Sequence, residues 1–268
     1  QVRALEATWR GLDFLVRRLD PDAELQLDIV DVSRHELVTQ LAAPDLTATA
    51  LHELLSRRPD DAPYAMAVFD WSFGRSSVEA ALLAGLADVA RLTSVPVIVG
   101  AADVTEILST PAKAVDPAWT TLRDQEAAAS LGMAGPGILL RLPYGPKTDK
   151  IERFSFEENP LPPRTDRYLW GCGSLAVAAV IGEAFRAEGW EYPSASAGLP
   201  DLQGMPLHAF ALDGESTQSP CTERWLNESE VERLVVAGVM PVVSIRGRDV
   251  VRLIRYQSMS STPRVLAG

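Results

Sequence analysis

The chain has 268 residues, of which 47% are hydrophobic and 23% charged, proportions typical of a folded globular protein. Its 25 basic and 36 acidic residues give a net charge of −11, which repels phosphate backbones and argues against nucleic-acid binding. Cys172 and Cys221 lack the spacing of a zinc site or redox pair, and no apolar run is long enough to span a bilayer. We therefore expect a cytoplasmic protein. Because the sequence begins at Gln1 without a methionine, we also expect a fragment of a longer chain.

The N-terminal part predicts helices and one strand. Apolar residues recur at helical spacing over 5–19, and those of 25–29 alternate with polar residues as in a strand. Ser33 and Glu36 form a capping-box pattern that predicts a helix to about residue 41, and a further helix is predicted over 46–57.

A β-α-β unit follows. Two apolar runs, 64–69 and 95–99, flank an Ala/Leu-rich helix over 78–92, which predicts a buried parallel strand pair. Asp70 then ends the first strand, where α/β enzymes place functional groups. The simpler interpretation of Asp70 is a cap or turn residue before Gly74.

The middle of the chain predicts a helix over 116–130, a glycine and proline loop over 132–137 and an apolar run over 138–142. Five prolines lie between Pro143 and Pro163, which predicts a long ordered loop or arm; loops of this length are usually functional or held by a partner.

In the C-terminal part, a helix is expected over 174–189, a loop over 192–204, a strand over 207–212 and a capped helix over 227–238. Strands over 242–245 and 250–254 predict a hairpin that turns at Gly247 and carries a basic patch of Arg246, Arg248, Arg252 and Arg255. The whole pattern predicts one α/β domain, residues 1–268, with a mixed, partly parallel sheet flanked by helices.

No catalytic or metal-binding set is evident. His35, His52 and His208 lack carboxylates at ligand spacing, and Ser194 and Ser196 are not in a G-x-S-x-G elbow. The carboxylates that might serve acid-base chemistry have no predicted partner: Asp60, Asp61, Asp70, Glu157 and Glu158.

The glycine-containing turn at 170–174 is the other candidate. A helix that starts after Gly171 could offer free N–H groups to an anion, and Cys172 could be an activated nucleophile. The turn lacks the third glycine of a dinucleotide fingerprint and the lysine of a P-loop, so Ser174 as a helix cap and Cys172 as a packing residue are the simpler interpretations. We predict no catalytic residue, cofactor or metal. The alternative is an α/β enzyme or nucleotide-binding protein that uses the loops near Asp70 and Gly171.

Five strings remain that core packing does not require: LEATWRGL at 5–12, RLPYGPKT at 141–148, YLWG at 168–171, GMPLH at 204–208 and PCTE at 220–223. Together and in this order they resemble the large subunit of the type VI secretion contractile sheath, the TssC, VipB or EvpB family. The resemblance extends over nearly the whole chain and covers the family's middle, outward-projecting domain. Cys172 and the two residues after it depart from the asparagine and alanines that the family tends to carry there.

The resemblance implies a bacterial structural protein without an active site. It implies assembly with the small sheath subunit (TssB/VipA-like) and with further copies of the large subunit. Contact with the inner tube protein (Hcp-like) would use regions outside this sequence, and a recycling unfoldase (ClpV-like) would act on the assembled sheath. Contraction of the sheath would then drive effector delivery.

Overall fold

The computed structural model describes residues 2–57, 63–111, 114–152, 155–189 and 198–266. Its helices are α1 (Val2–Leu19), α2 (Arg34–Leu41), α3 (Ala50–Ser56), α4 (Ser77–Thr93), α5 (Val104–Ser109), α6 (Pro117–Asp124), α7 (Gly173–Glu188) and α8 (Glu228–Val236). Its strands are β1 (Ala67–Phe73), β2 (Val97–Ala101), β3 (Leu131–Gly135), β4 (Ile138–Arg141), β5 (Leu169–Gly171), β6 (Ala209–Leu212), β7 (Glu215–Gln218), β8 (Val239–Ser244) and β9 (Val251–Leu253).

A five-stranded sheet in the order β1-β2-β3-β8-β9 forms the centre of the fold. The first four strands are parallel, and β9 pairs antiparallel with β8, which confirms the predicted mixed sheet and terminal hairpin. Strands β4 and β5 form a separate antiparallel pair, as do β6 and β7. None of the helices within the described ranges is both long and apolar enough to cross a bilayer.

Helices cover both faces of the sheet because its strands are apolar on both sides. In β2, Val97 and Val99 belong to an apolar cluster with helices α2 to α6 and α8, whereas Ile98 points to a second cluster with α1 and α7. This alternation is the two-residue period of a strand, and its burial on both faces is typical of a parallel α/β sheet.

Glycines allow α7 to approach both the sheet and α1 closely. A Cβ atom on Gly173 would lie 2.5 Å from the carbonyl oxygen of Ala134 in β3. Positions for a Cβ on Gly11 and Gly182 would lie 2.7 Å and 2.4 Å from side-chain atoms of Leu175 and Leu19, across the interface of α1 with α7. Because glycine has no side chain, these three positions set the distance of α7 from the sheet and from α1.

The locally encoded elements agree with prediction. Ser33 and Asn227 cap α2 and α8 with complete capping boxes, and α1, α4 and α7 lie within two or three residues of their expected bounds. The helix expected over 46–57 begins as a 3₁₀ turn and becomes helical only after Thr49, whose side chain caps α3. The helix expected over 116–130 ends at Asp124 and continues as a 3₁₀ turn.

Other predictions were wrong. Residues 25–29 form no strand and join no sheet among the described residues; Leu25 and Leu27 pack against the α1 and α7 cluster instead. The expected glycine loop contains β3, a strand at the centre of the sheet, whose Gly132 leaves room for Met240 and Leu266. Helix α5 and strand β7 were not foreseen, and β1 lies several residues later than expected. Part of the loop expected over 192–204 falls at 192–197, outside the described residues.

We predict that Gly173→Ala destabilises the protein by about 1–3 kcal/mol, because the added methyl group meets backbone atoms of β3 that cannot move independently. Gly182→Ala on the same helix is the matched control, since its new methyl group meets only the movable side chain of Leu19. Urea unfolding measures both. An equal or smaller loss for Gly173→Ala would show that the close approach of α7 to β3 is not required.

Candidate functional site

Four polar residues from α1 and the long loop gather around the guanidinium group of Arg141, and we call these five residues the Arg141 cluster. They are Glu6 and Arg10 of α1, Arg141 at the end of β4, and Tyr144 and Glu158 of the loop. Two of the family-like strings, at 5–12 and 141–148, therefore meet in space although their paired residues Glu6 and Arg141 are 135 positions apart.

All five N–H groups of Arg141 have acceptors. Its Nε and Nη2 donate to the Glu6 carboxylate at 2.7 and 3.2 Å, and Nη1 and Nη2 donate to Glu158 at 2.6 and 3.1 Å. Nη1 also donates to the Leu142 carbonyl at 3.0 Å, and the Tyr144 ring lies 4.0 Å from the guanidinium carbon. Two bidentate pairs and a stacked ring fix the orientation of the guanidinium as well as its charge.

Hydrogen bonds within the cluster keep its two carboxyl groups ionised. The Arg141 side chain is only 7% exposed, against 26% for Glu6 and 13% for Glu158. Hydrogen bonds from Arg141 lower the pKa of Glu6. Burial alone would raise the pKa of Glu158, but hydrogen bonds from Arg141 and the Tyr144 amide outweigh it and lower that pKa. Both carboxyls are therefore ionised at neutral pH.

The same cluster orders the start and end of the long loop. Glu158 accepts from the Tyr144 amide at 3.0 Å and donates its own amide to the Tyr144 carbonyl at 2.8 Å. Next to it, buried Asn159 accepts from the Arg164 amide and donates to the Arg164 carbonyl. The described residues of the loop between Pro143 and Pro163 are thus hydrogen-bonded to other residues of the same chain.

A second buried group joins β5 to the ends of the β6–β7 hairpin, and we call it the Tyr168 cluster. The Tyr168 hydroxyl lies 2.6 Å from His208 Nδ1 and 2.5 Å from Ser219 Oγ. Burial raises the pKa of Tyr168 and lowers the pKa of His208, so both side chains are neutral near pH 7. Nearby, Glu223 accepts from the Gly137 amide at 2.9 Å. The strings at 168–171, 204–208 and 220–223 thus also serve packing between segments.

Asp70, Cys172 and Ser174, the residues near the two loops of the enzyme alternative, lie close to each other, but each of them contacts other residues of the fold. Asp70 is inside β1 rather than at its end, where the register with β2 shifts, and it accepts from the Thr8 hydroxyl at 2.8 Å. Burial raises the pKa of Asp70, and burial also raises the pKa of Cys172, the opposite of what activates a thiol. Ser174 was predicted to cap α7, which is wrong: its hydroxyl donates to the Phe69 carbonyl at 2.7 Å.

The first residues of α7, considered above as an anion-binding site, pack against strands of the sheet. Cys172 is the N-cap residue, but its side chain makes no capping hydrogen bond; its sulfur instead packs over Gly100 and lies 3.5 Å from the Ser72 hydroxyl. Gly173 lies against β3, as described above. The turn at Gly171 therefore joins β5 to the core rather than opening a cradle for phosphate.

The remaining candidates are scattered. His35 and His52 lie in α2 and α3, and Glu157 is exposed beside the Arg141 cluster. Within the described ranges, no three side chains of the metal-binding types gather as ligands. Asp60, Asp61, Ser194 and Ser196 lie outside the described residues.

Sequence reasoning missed the Arg141 cluster. The available signal was a charged residue, Arg141, inside the otherwise apolar run 138–142, which indicates a buried charge that needs counter-charges. Nothing in the spacing identified Glu6 and Glu158 as those counter-charges.

Comparison with known proteins identifies the family of the chain. Residues 1–260 match the family model VipB, described as EvpB/VC_A0108, tail sheath N-terminal domain, and the chain therefore belongs to this family. A relative is the type VI secretion system sheath protein TssC1 of Pseudomonas aeruginosa, 28% identical over 282 residues that cover 95% of this chain and 56% of the relative. The chain thus spans about half the length of that sheath protein.

We predict that Arg141→Met destabilises the protein by about 3 kcal/mol, because it leaves the largely buried Glu158 without its ion-pair partner and leaves Glu6 with Arg10 alone. Arg141→Lys should lose less, since it keeps the charge but cannot form two bidentate pairs. Arg164→Met is the control: Arg164 pairs with Asp166 and both side chains are more than 60% exposed, so solvent screens the pair and the loss should be much smaller than for Arg141→Met. Equal losses for Arg141→Met and Arg164→Met in chemical unfolding would contradict this account.

The Arg141 cluster should also give an acid-dependent term to stability. The folded pKa values of Glu6 and Glu158 lie below the ordinary value of 4.5, so the stabilisation is complete above that value and is lost as pH falls through the lowered values. We therefore expect the free-energy gap between wild type and Arg141→Met to shrink between neutral pH and about pH 3. A gap that stays constant or widens in this interval would show that these carboxyls are not the partners that matter.

Proposed function

We propose that this chain is a structural, non-catalytic part of the large subunit of a type VI secretion contractile sheath, and that residues 1–268 act as one domain of it. In this role it assembles in the cytoplasm with the small sheath subunit and with further large subunits around the inner tube. Contraction drives effector delivery, and a recycling unfoldase acts on the assembled sheath. The family match over most of the chain supports the proposal.

The observation that carries the proposal is an apolar stripe on the outer side of α1. Four of its side chains are exposed although apolar: Val2 (81%), Leu5 (61%), Trp9 (64%) and Val16 (43%). Their spacing places them on one side of the helix, next to the buried face formed by Gly11, Leu15 and Leu19. A contiguous exposed apolar patch marks a contact with another protein, and tryptophan is enriched among residues that dominate such contacts.

The position of the stripe suits an assembly contact. Helix α1 is held from behind by α7 and at its side by the Arg141 cluster, so its outer side chains are presented on a fixed support. Pre-ordered contact residues lose little conformational entropy when a partner binds. We assign the stripe, which we call the α1 stripe, to the small sheath subunit, the partner that must join each large subunit for the sheath to form.

The test is co-expression of the complete gene product with the small sheath subunit of the same bacterium, followed by sedimentation and electron microscopy. We expect tubes from the wild-type pair, and a loss of tubes of at least about tenfold for Trp9→Glu with stability changed by no more than about 0.5 kcal/mol. Val78→Glu is the control, because Val78 is 70% exposed on α4, on the opposite side of the sheet.

Two failures are distinguishable. If the wild-type pair forms no tubes, the sheath proposal is wrong. If tubes form and Trp9→Glu leaves them intact, the chain is a sheath component but the α1 stripe is not its contact with the small subunit.

A further inference from the structure

Asp70 is a half-buried carboxylate at the border of the α1 stripe. It belongs to β1, an edge strand of the central sheet. Its Oδ2 atom accepts from the hydroxyl of Thr8 at 2.8 Å, so the carboxylate faces α1. Thr8 directly precedes Trp9 in that helix and is itself exposed. Asp70 therefore lies beside the surface that the proposed function assigns to a partner.

The helix geometry fixes this position more closely. A helix turns by about 100° per residue, so Thr8 lies about 20° around the axis from Leu15 and about 60° from Leu5. Leu15 is buried against the fold, whereas Leu5 is 61% exposed in the stripe. Thr8 and the carboxylate bound to it thus mark the line where the packed side of α1 ends and the stripe begins.

Asp70 has no counter-charge within the described part of the chain. The Thr8 hydroxyl is the one described donor to its carboxylate, and the second oxygen, Oδ1, accepts no described hydrogen bond but is not sealed from solvent. Other partly buried carboxylates differ: Glu158 pairs with Arg141, and Asp201 pairs with an arginine of β9. Burial raises the pKa of Asp70, so the fold leaves the cost of this charge uncompensated.

A partner on the α1 stripe makes that cost larger unless it carries a positive charge. Even a single helix is about 10 Å across, wide enough to reach from the stripe over Thr8 and Asp70. Removing the remaining water from an unpaired carboxylate is unfavourable, whereas a lysine or arginine beside it compensates the lost hydration. A charge pair of this kind also excludes partners that bring the wrong charge, which makes it a source of specificity.

We propose that Asp70 is a specificity-determining residue of the α1 stripe contact and binds a lysine or arginine of the partner. The partner surface would then be apolar where it covers Leu5 and Trp9, with one basic side chain at its border. The inference rests on the proposed function, which assigns the stripe to the small sheath subunit, and it adds the charge by which that subunit is selected.

A competition experiment gives the sign of the effect directly. The complete gene product is co-expressed in two differently tagged forms, wild type and Asp70→Asn, with a limiting amount of affinity-tagged small sheath subunit. Asparagine keeps an oxygen that can accept from Thr8 and removes only the charge. We expect the captured complex to contain at least about fivefold less Asp70→Asn than wild type, after correction for the amount of each form in the cell.

An uncompensated carboxylate would give the opposite sign. If the partner brings no cation, burial of the charge opposes docking, and Asp70→Asn is captured as well as wild type or better. Asp88→Asn is the matched control, because Asp88 is also half-buried but lies on α4, on the opposite face of the sheet. It should be captured as well as wild type.

Charge exchange identifies the partner residue and does not depend on the stability of a single variant. Asp70→Lys should lose capture, and one small-subunit variant in which a lysine or arginine is replaced by glutamate should restore it. If no such replacement restores capture, or if Asp70→Asn is captured as well as wild type, the inference is overturned.

The outcomes separate this inference from the proposed function. If Trp9→Glu loses capture while Asp70→Asn does not, the α1 stripe contact stands and the role of Asp70 is rejected. If the small subunit captures no wild-type chain and no tubes form, the proposed function is rejected, and the inference that rests on it is rejected as well.

Discussion

The guanidinium of Arg141 carries a positive charge to a place where only 7% of its side chain meets solvent, so the protein has to surround it with counter-charges. Those counter-charges come from two different segments, Glu6 of α1 and Glu158 of the long loop. The positions of Glu6 and Glu158 therefore depend on the position of Arg141 at the end of β4. A buried ion pair often adds little net stability over an apolar contact, but breaking one is costly. The cluster thus selects one arrangement of α1, β4 and the loop.

Because α1 is fixed in this way, each of its sides has a different task. One side packs against α7 through Gly11, Leu15 and Leu19, where missing side chains allow close contact. A second side carries Glu6 and Arg10 to the Arg141 cluster. The third side is the α1 stripe, whose side chains remain 43–81% exposed in the described part of the chain. An exposed apolar side chain such as Trp9 on a helix held in this way is the kind of residue that marks a protein contact, which is why the proposed function assigns it to a partner.

Sequence patterns predicted what is encoded locally. The capping boxes at Ser33 and Asn227 fixed helix starts correctly because the interacting groups are three residues apart. The alternation at 25–29 predicted a strand that does not form, because periodicity says nothing about whether a neighbouring strand exists. Strand β3 was mistaken for a loop because Gly132 resembles a turn residue, whereas it is needed for contact with side chains from distant segments.

The clusters could not be predicted for a related reason. Arg141 and Glu6 are 135 positions apart, and Tyr168 and His208 are 40 apart, so only the fold brings them together. A family resemblance identified the strings that contain these residues but not their purpose. The structure shows that they bind one another, so an unusual string in a sequence can record a contact within the subunit as readily as a functional site.

A contractile assembly needs subunits that keep their shape and contacts between subunits that can change. In this chain the strongest charge pairing is internal: Arg141 is buried and bound by two bidentate carboxylates. The charges offered outward, such as Arg246 and Arg248, are exposed, and an exposed ion pair contributes only about 0–1 kcal/mol. Many contacts of that size can hold an array in one packing and yet exchange for those of another without unfolding a subunit. Under the proposed function, this division between buried internal pairs and exposed outward charges would let a subunit keep its shape while its contacts with other subunits change.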